Sequence, residues 1–223
     1  MVWRLHLTVN NDLYRRFLLR KLAFLAAVIA VFALANVASA QQGDASIGFG
    51  TLMSPGASPC AVSPSSNGIV PIVCPEKGGL YTNIGGDVIF HKRIGFAFDA
   101  DWRTSQGNFA GIGQPYRPML FSIDGIYQPR LSKKAGLDLM GGIGWQTTRF
   151  YLPYCTNGFT CNNYLSSNHF QINVGAGIRY YVWGHVFVRP EVRYYKVLNN
   201  TDYYTSGNIV HVGASIGYTI GPD

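Results

Sequence analysis

Charge is scarce in this chain: Asp, Glu, Lys and Arg make up 13% of its 223 residues, against roughly 25% in soluble domains. So few ionised groups poorly serve a surface wetted on every side. Long apolar runs are also missing. Beyond position 40 nothing approaches the roughly 20 apolar residues of a membrane-spanning helix. There is no clustered basic face either, so nucleic acid is not an expected partner. The formal charge of +7 falls to about +3 once the five basic and one acidic residues of positions 1–40 are set aside. Cysteine is limited to four residues with no C-x₂-C spacing, which argues against a structural metal site. No cofactor is expected.

What is present begins with a targeting segment. Arg15, Arg16, Arg20 and Lys21 form a basic region, residues 22–34 an apolar stretch, and Ala38-Ser39-Ala40 a small-x-small cleavage site. That order reads as a secretory signal peptide over 1–40. Residues 41–223 then form one domain.

Behind the leader the chain alternates. Residues 209–220 place Val210, Val212, Ala214, Ile216, Tyr218 and Ile220 on one face. His211, Gly213, Ser215, Gly217 and Thr219 fall on the other, the side-chain period of a strand. Seven earlier segments repeat it: 44–53, 80–90, 94–103, 116–128, 136–150, 169–182 and 186–197. The fourth is least regular, because Leu120 and Ile126 share the face of Ser122, Asp124 and Gln128. Connections after the even strands are short, about 3 to 7 residues, and those after the odd strands run about 11 to 26. Short inner turns and long outer loops belong to outer-membrane barrels. The expected fold is all-β: an eight-stranded antiparallel up-and-down transmembrane β-barrel with both termini in the periplasm. A soluble eight-stranded barrel would reverse the faces, with apolar side chains inside and a Lys- and Glu-rich exterior.

In this pattern the chain resembles the eight-stranded outer-membrane barrels of Gram-negative cells, the OmpA-like transmembrane barrel, over residues 41–223. The resemblance covers the barrel only. It implies that His211-x-Gly213-x-x-Ile216-x-Tyr218 is the signal read by the barrel assembly machinery during biogenesis. It also implies contact with outer-membrane lipid and lipopolysaccharide. Many such barrels end on an aromatic residue; this one continues to Asp223.

Parity puts seven of the eleven acidic residues inside, Asp44, Asp87, Asp99, Asp101, Asp124, Asp138 and Glu191, joined by Arg103, Arg179, Arg189 and Arg193. Residues two apart on a strand lie roughly 6.5 Å apart on one face, so Glu191 can bridge Arg189 and Arg193. An eight-stranded interior is just wide enough for side chains to fill. The expectation is a plugged, charge-paired lumen; an ion path is the alternative.

The four cysteines, Cys60, Cys74, Cys155 and Cys161, all fall in two outer loops. An exported chain with an even count suggests disulfides. Three connectivities exist, and local pairing within each loop is the expected one.

Some outer-membrane barrels are enzymes, including lipid A deacylases and palmitoyltransferases. Here His91 and His185 sit at turns and His169 and His211 near the outer rim, none in a compact His-x-Ser arrangement. No catalytic residue is expected, although His169 or His211 can still meet a distant Ser or Asp in space. Trp102, Tyr116, Tyr127, Trp145, Tyr180, Trp183, Tyr194 and Tyr218 lie near strand ends, where aromatic girdles are expected. Loop aromatics, among them Tyr151, Tyr154, Phe159, Tyr164, Tyr203 and Tyr204, either pack the loops or meet an extracellular ligand. The expected function is therefore a monomeric structural or surface-interaction barrel. A narrow channel for small solutes or hydrophobic molecules and a lipid-modifying enzyme are the alternatives.

Overall fold

The computed structural model describes residues 42–62, 72–91, 93–110, 113–152, 154–156 and 160–221. The signal peptide expected at 1–40 lies outside the described residues. In chain order the first strands are β1 (Gln42–Met53), β2 (Ala61–Val62), β3 (Ile72–Val73), β4 (Tyr81–His91) and β5 (Ile94–Arg103). Next come β6 (Gly107–Phe109), β7 (Gln114–Tyr127), β8 (Ala135–Phe150), β9 (Tyr154–Thr156) and β10 (Thr160–Asn162). The last are β11 (Leu165–Trp183), β12 (Val186–Val197) and β13 (Asn208–Ile220).

Eight of these close a barrel. The order is β5-β4-β1-β13-β12-β11-β8-β7, and a further β5–β7 pairing shuts the ring. All these neighbours are antiparallel, and the first and last strands meet from Gly43↔Ile220 to Met53↔Val210. Closure leaves no edge to aggregate. Two strands, β5 and β12, have the bounds that alternation predicts. By contrast, β11 starts at Leu165 rather than 169, because Leu165 to Asn168 continue the pairing with Phe150 to Thr147 of β8. Those four residues carry no apolar face, so period alone does not reveal them.

The faces fall as a membrane barrel requires. Phe96 is 64% exposed and Ile216 52%, whereas Asp124 is 1% exposed. In water this exterior would forfeit roughly 25 cal/mol for each Å² of apolar surface left uncovered. The reversed faces of a soluble barrel are not what is seen.

Inside, the apolar residues are not spread evenly. Leu52, Tyr81, Leu120, Tyr195, Val197 and Ile209 form one buried cluster, toward the long loops. The described part of the loop before β4 turns back over this end: Gly78 N–H donates to Leu52 O at 2.8 Å. The disulfide Cys60–Cys74 ties the loop to itself. Cys74 in turn bridges Tyr204 in the loop after β12, with Thr205 N–H donating to Cys74 O at 3.1 Å. In the third long loop, β9 and β10 pair with Cys155 opposite Cys161. The side chains of those two cysteines lie outside the described residues, as do those of Tyr154 and Phe159.

Candidate functional site

The lumen is where the chemistry collects, and it is layered along the barrel axis. Nearest the short turns, Arg179 lies across the opening. Its Nη1 pairs with Asp44, and its Nη2 lies 3.1 Å from Asp87 and 3.0 Å from Asp138. The guanidinium also covers the Phe187 ring at 4.3 Å. Gln128 Nε2 donates to the remaining Asp87 oxygen at 2.9 Å.

In the middle layer Arg189 and Arg193 share Glu191 between them. Arg189 Nε is 3.0 Å from one carboxylate oxygen and Arg193 Nε 3.6 Å from the other. Arg193 also pairs with Asp99, and its Nη1 donates to Asp124 at 2.8 Å. Arg189 reaches Asp87, Asp99 and Asp138 at 3.6 to 3.7 Å. All these side chains are buried. Such charge is tolerated only when paired, since the desolvation of each ion costs several kcal/mol.

Glycine makes the room. Gly175 lies opposite Arg193 and Gly177 opposite Glu191. A Cβ at Gly175 would meet Arg193 Cγ at 2.7 Å, and one at Gly177 would meet Arg189 Cγ at 3.1 Å. The stems of both arginines lie flat over bare backbone.

Asp101 and Arg103, grouped by parity with this network, belong to different surroundings. Asp101 has no arginine partner among the described residues; Asn83 Nδ2 donates to it at 3.0 Å and Tyr195 Oη at 3.2 Å. His211 Nε2 stands 3.8 Å away. Arg103 faces inward but sits past the rim, where its Nη1 donates to Tyr116 Oη at 2.9 Å. Tyr116 is therefore no girdle residue. It is buried against Phe109, Phe150 and Tyr204, and it shares the inward parity of Leu120 and Ser122. Of the other expected girdle residues, Tyr127, Tyr180 and Tyr218 are exposed on the outer face, and Trp183 is exposed at the short-turn rim, where it also lines a cavity.

Glu76, which period-2 reading could not reach, seals the long-loop end. Its carboxyl is buried in the mouth and accepts from Gln146 Nε2. Burial pushes it up from 4.5 to about 8, opposed by the Gln146 hydrogen bond and the Arg103 charge. Beside it Tyr204 Oη and Thr148 Oγ1 share a hydrogen bond of 2.9 Å. Tyr203 and Tyr204 thus pack the loops together, with the Phe150 ring 4.9 Å from that of Tyr203. The nearby Cys74 was the available signal: a disulfide two residues away holds the Glu76 backbone in place.

Of the assembly-signal residues, His211 and Gly213 face the lumen side, while Ile216 and Tyr218 are exposed on the exterior. Ser167 Oγ and His169 Nε2 are 2.6 Å apart near the long-loop rim. Among the described residues no carboxylate ion-pairs with His169, and no group of His, Cys, Asp and Glu could hold a metal ion.

Solved structures with the same architecture carry little sequence likeness. Neisserial surface protein A aligns over 80% of this chain and 96% of its own, with a TM-score of 0.53 and 13% identity. OprG from Pseudomonas aeruginosa aligns over 83% and 98%, with a TM-score of 0.52 and 11% identity. A major outer membrane protein from Thermus thermophilus gives 81%, 100%, 0.51 and 11%. These likenesses show the fold alone. No curated protein matches the chain. The outer membrane protein beta-barrel domain matches residues 24–217, and with its closed ring and apolar exterior the chain belongs to that family of outer-membrane barrels.

Proposed function

We propose that this outer-membrane barrel is a non-conducting structural and surface-interaction protein. The observation that carries the reading is the row of Arg179, Arg189 and Arg193 laid across the lumen and matched to inward carboxylates. A path for ions would need these side chains to move aside together, and each leaves a buried partner behind. The loop that carries Glu76 adds a second stopper. In this reading the short turns and both termini face the periplasm and the long loops face outward. Lipid and lipopolysaccharide surround the wall, the chain works as a monomer, and the assembly machinery reads the His211–Tyr218 segment. The long-loop end presents Leu152, Tyr164 and, at the start of β11, Leu165 as exposed apolar contacts, which suits a ligand or partner outside the cell.

Planar-bilayer recording of refolded mature protein tests this. The expected trace is flat, with brief openings in Glu191→Ala, which strips the shared partner of Arg189 and Arg193. Large, steady conductance in the unmutated protein, with selectivity unchanged by Glu191→Ala, would make it a channel instead.

The close Ser167–His169 contact supports one second reading, a lipid-modifying enzyme with Ser167 as nucleophile and His169 as base. A fluorophosphonate probe that labels Ser167, and fails to label a His169→Ala variant, would favour that reading.

A further inference from the structure

At the short-turn end the barrel opens into a cavity of about 730 Å³. Four basic residues from two turns line it: Arg93 between β4 and β5, and Arg130, Lys133 and Lys134 between β7 and β8. All four are exposed, and among the described residues none forms an ion pair. The acids at the floor do not answer them. Asp138 lines the cavity, but its carboxylate is engaged by Arg179 and Arg189. Asp44 and Asp87 are likewise held by Arg179.

Four uncompensated cations around one concavity repel one another, with salt screening that repulsion over a Debye length of roughly 8 Å. A bound anion of more than one charge removes that repulsion. Arginine adds planar, bidentate recognition of phosphate oxygens, and lysine adds point charges. The wall is not purely polar, because Val182 and Trp183 also line the cavity. Trp183 is 84% exposed and Leu131, in the same turn as the basic residues, 61%. Indole rings favour the headgroup level of a membrane. An occupant with a phosphate next to an apolar part suits both walls.

We propose that this cavity is a binding site for a phosphate-bearing anion, held by Arg93, Arg130, Lys133 and Lys134. Its source is either an anionic phospholipid headgroup at the membrane rim or a soluble phosphate compound. Arg179 forms part of the cavity floor, but the four cations of the site belong to the turns, so the test below does not depend on whether the lumen conducts.

Native mass spectrometry of the folded protein, released from nanodiscs of phosphatidylcholine with a minor fraction of phosphatidylglycerol, tests the lipid source. Titration calorimetry in detergent with inorganic pyrophosphate tests the soluble one. The working variant is Lys133→Ala/Lys134→Ala. A control of equal charge change, Lys77→Ala/Lys196→Ala, alters exposed lysines outside this cavity. Gel mobility before and after boiling shows that each variant folds. Selective retention of phosphatidylglycerol, weakened about tenfold in the first variant as expected for two lost charge-assisted contacts and unchanged in the control, establishes a lipid site. The same pattern with pyrophosphate alone establishes a soluble ligand. Binding that falls equally in both variants is diffuse electrostatics and overturns the site, as does no binding of either probe.

Discussion

The two halves of the lumen are closed by different forces. Toward the short turns the filling is chiefly ionic: three guanidiniums lie among Asp44, Asp87, Asp99, Asp124, Asp138 and Glu191, all buried, beside a small apolar cluster of Ile89, Ala97, Ile126 and Met140. Toward the long loops the inward face turns apolar, with Leu52, Leu120, Val197 and Ile209 in one cluster. The polar groups there are mostly neutral donors and acceptors, such as Tyr195 and Asn83 around Asp101. An ionic filling is rigid because every member needs its partners. An apolar one is held by packing and tolerates repacking more readily. The long loops dock over the second half, so the adaptable end is also the one that the loops cover.

The largest effect should come from the ionic half. Truncating Arg193, which is fully buried, leaves Asp99 and Asp124 without their main counter-charge. Arg193→Ala should destabilise the barrel by about 3–5 kcal/mol, read from urea unfolding of the protein in lipid vesicles. A loss under about 1 kcal/mol would mean that the acids do not rely on it, and the distinction between the halves would fail.

Next is the apolar half. Leu120 has no exposed surface, and Leu120→Ala should cost about 2–4 kcal/mol from lost burial and the cavity left behind. In the same assay this variant should unfold with unchanged pH dependence, whereas Arg193→Ala should alter it because carboxylates lose their partner. If Leu120→Ala proves the costlier of the two, packing rather than charge is the main closure.

The same division decided what was legible in the sequence. Within the apolar band every residue faces lipid or lumen, so period 2 located eight strands and set Asp44, Asp124, Arg179 and Arg193 inside. Past the rim both faces meet water or loop, and the signal fades. Leu165 to Asn168 of β11 and the short strands β2, β3, β6, β9 and β10 lie there, where no period marks them. Parity still held at Tyr116 and Arg103, but parity carries no height along the axis. It could not tell that Arg103 would meet Tyr116 instead of a carboxylate, or that Asp101 would sit among neutral partners. Glu76 lies in a loop, where no period exists to read.

Glu76 gives the most local effect and the sharpest test of the loop-covered end. Its buried carboxyl faces Arg103, Tyr81, Tyr116 and Tyr204 as well as Gln146, and it is pushed from 4.5 up to about 8. With the loop undocked the carboxyl returns to its ordinary value. Between those two values the docked state keeps a proton that the undocked state has lost. Docking is therefore strongest below about pH 4.5, weakens as the pH rises toward about 8, and changes no further above that. Global unfolding that starts from the docked state carries the same proton linkage, so it does not isolate the loop. Limited proteolysis of loop 54–79 in micelles should register the undocking itself, as nicking that accelerates from pH 5 to pH 8 after correction for protease activity. Glu76→Gln is neutral at every pH and keeps an amide to meet Gln146, so its nicking rate should stay flat and low. A flat profile in the unmutated protein, or an equal rise in Glu76→Gln, would show that the loop is held by the Cys74–Tyr204 pairing rather than by the buried acid.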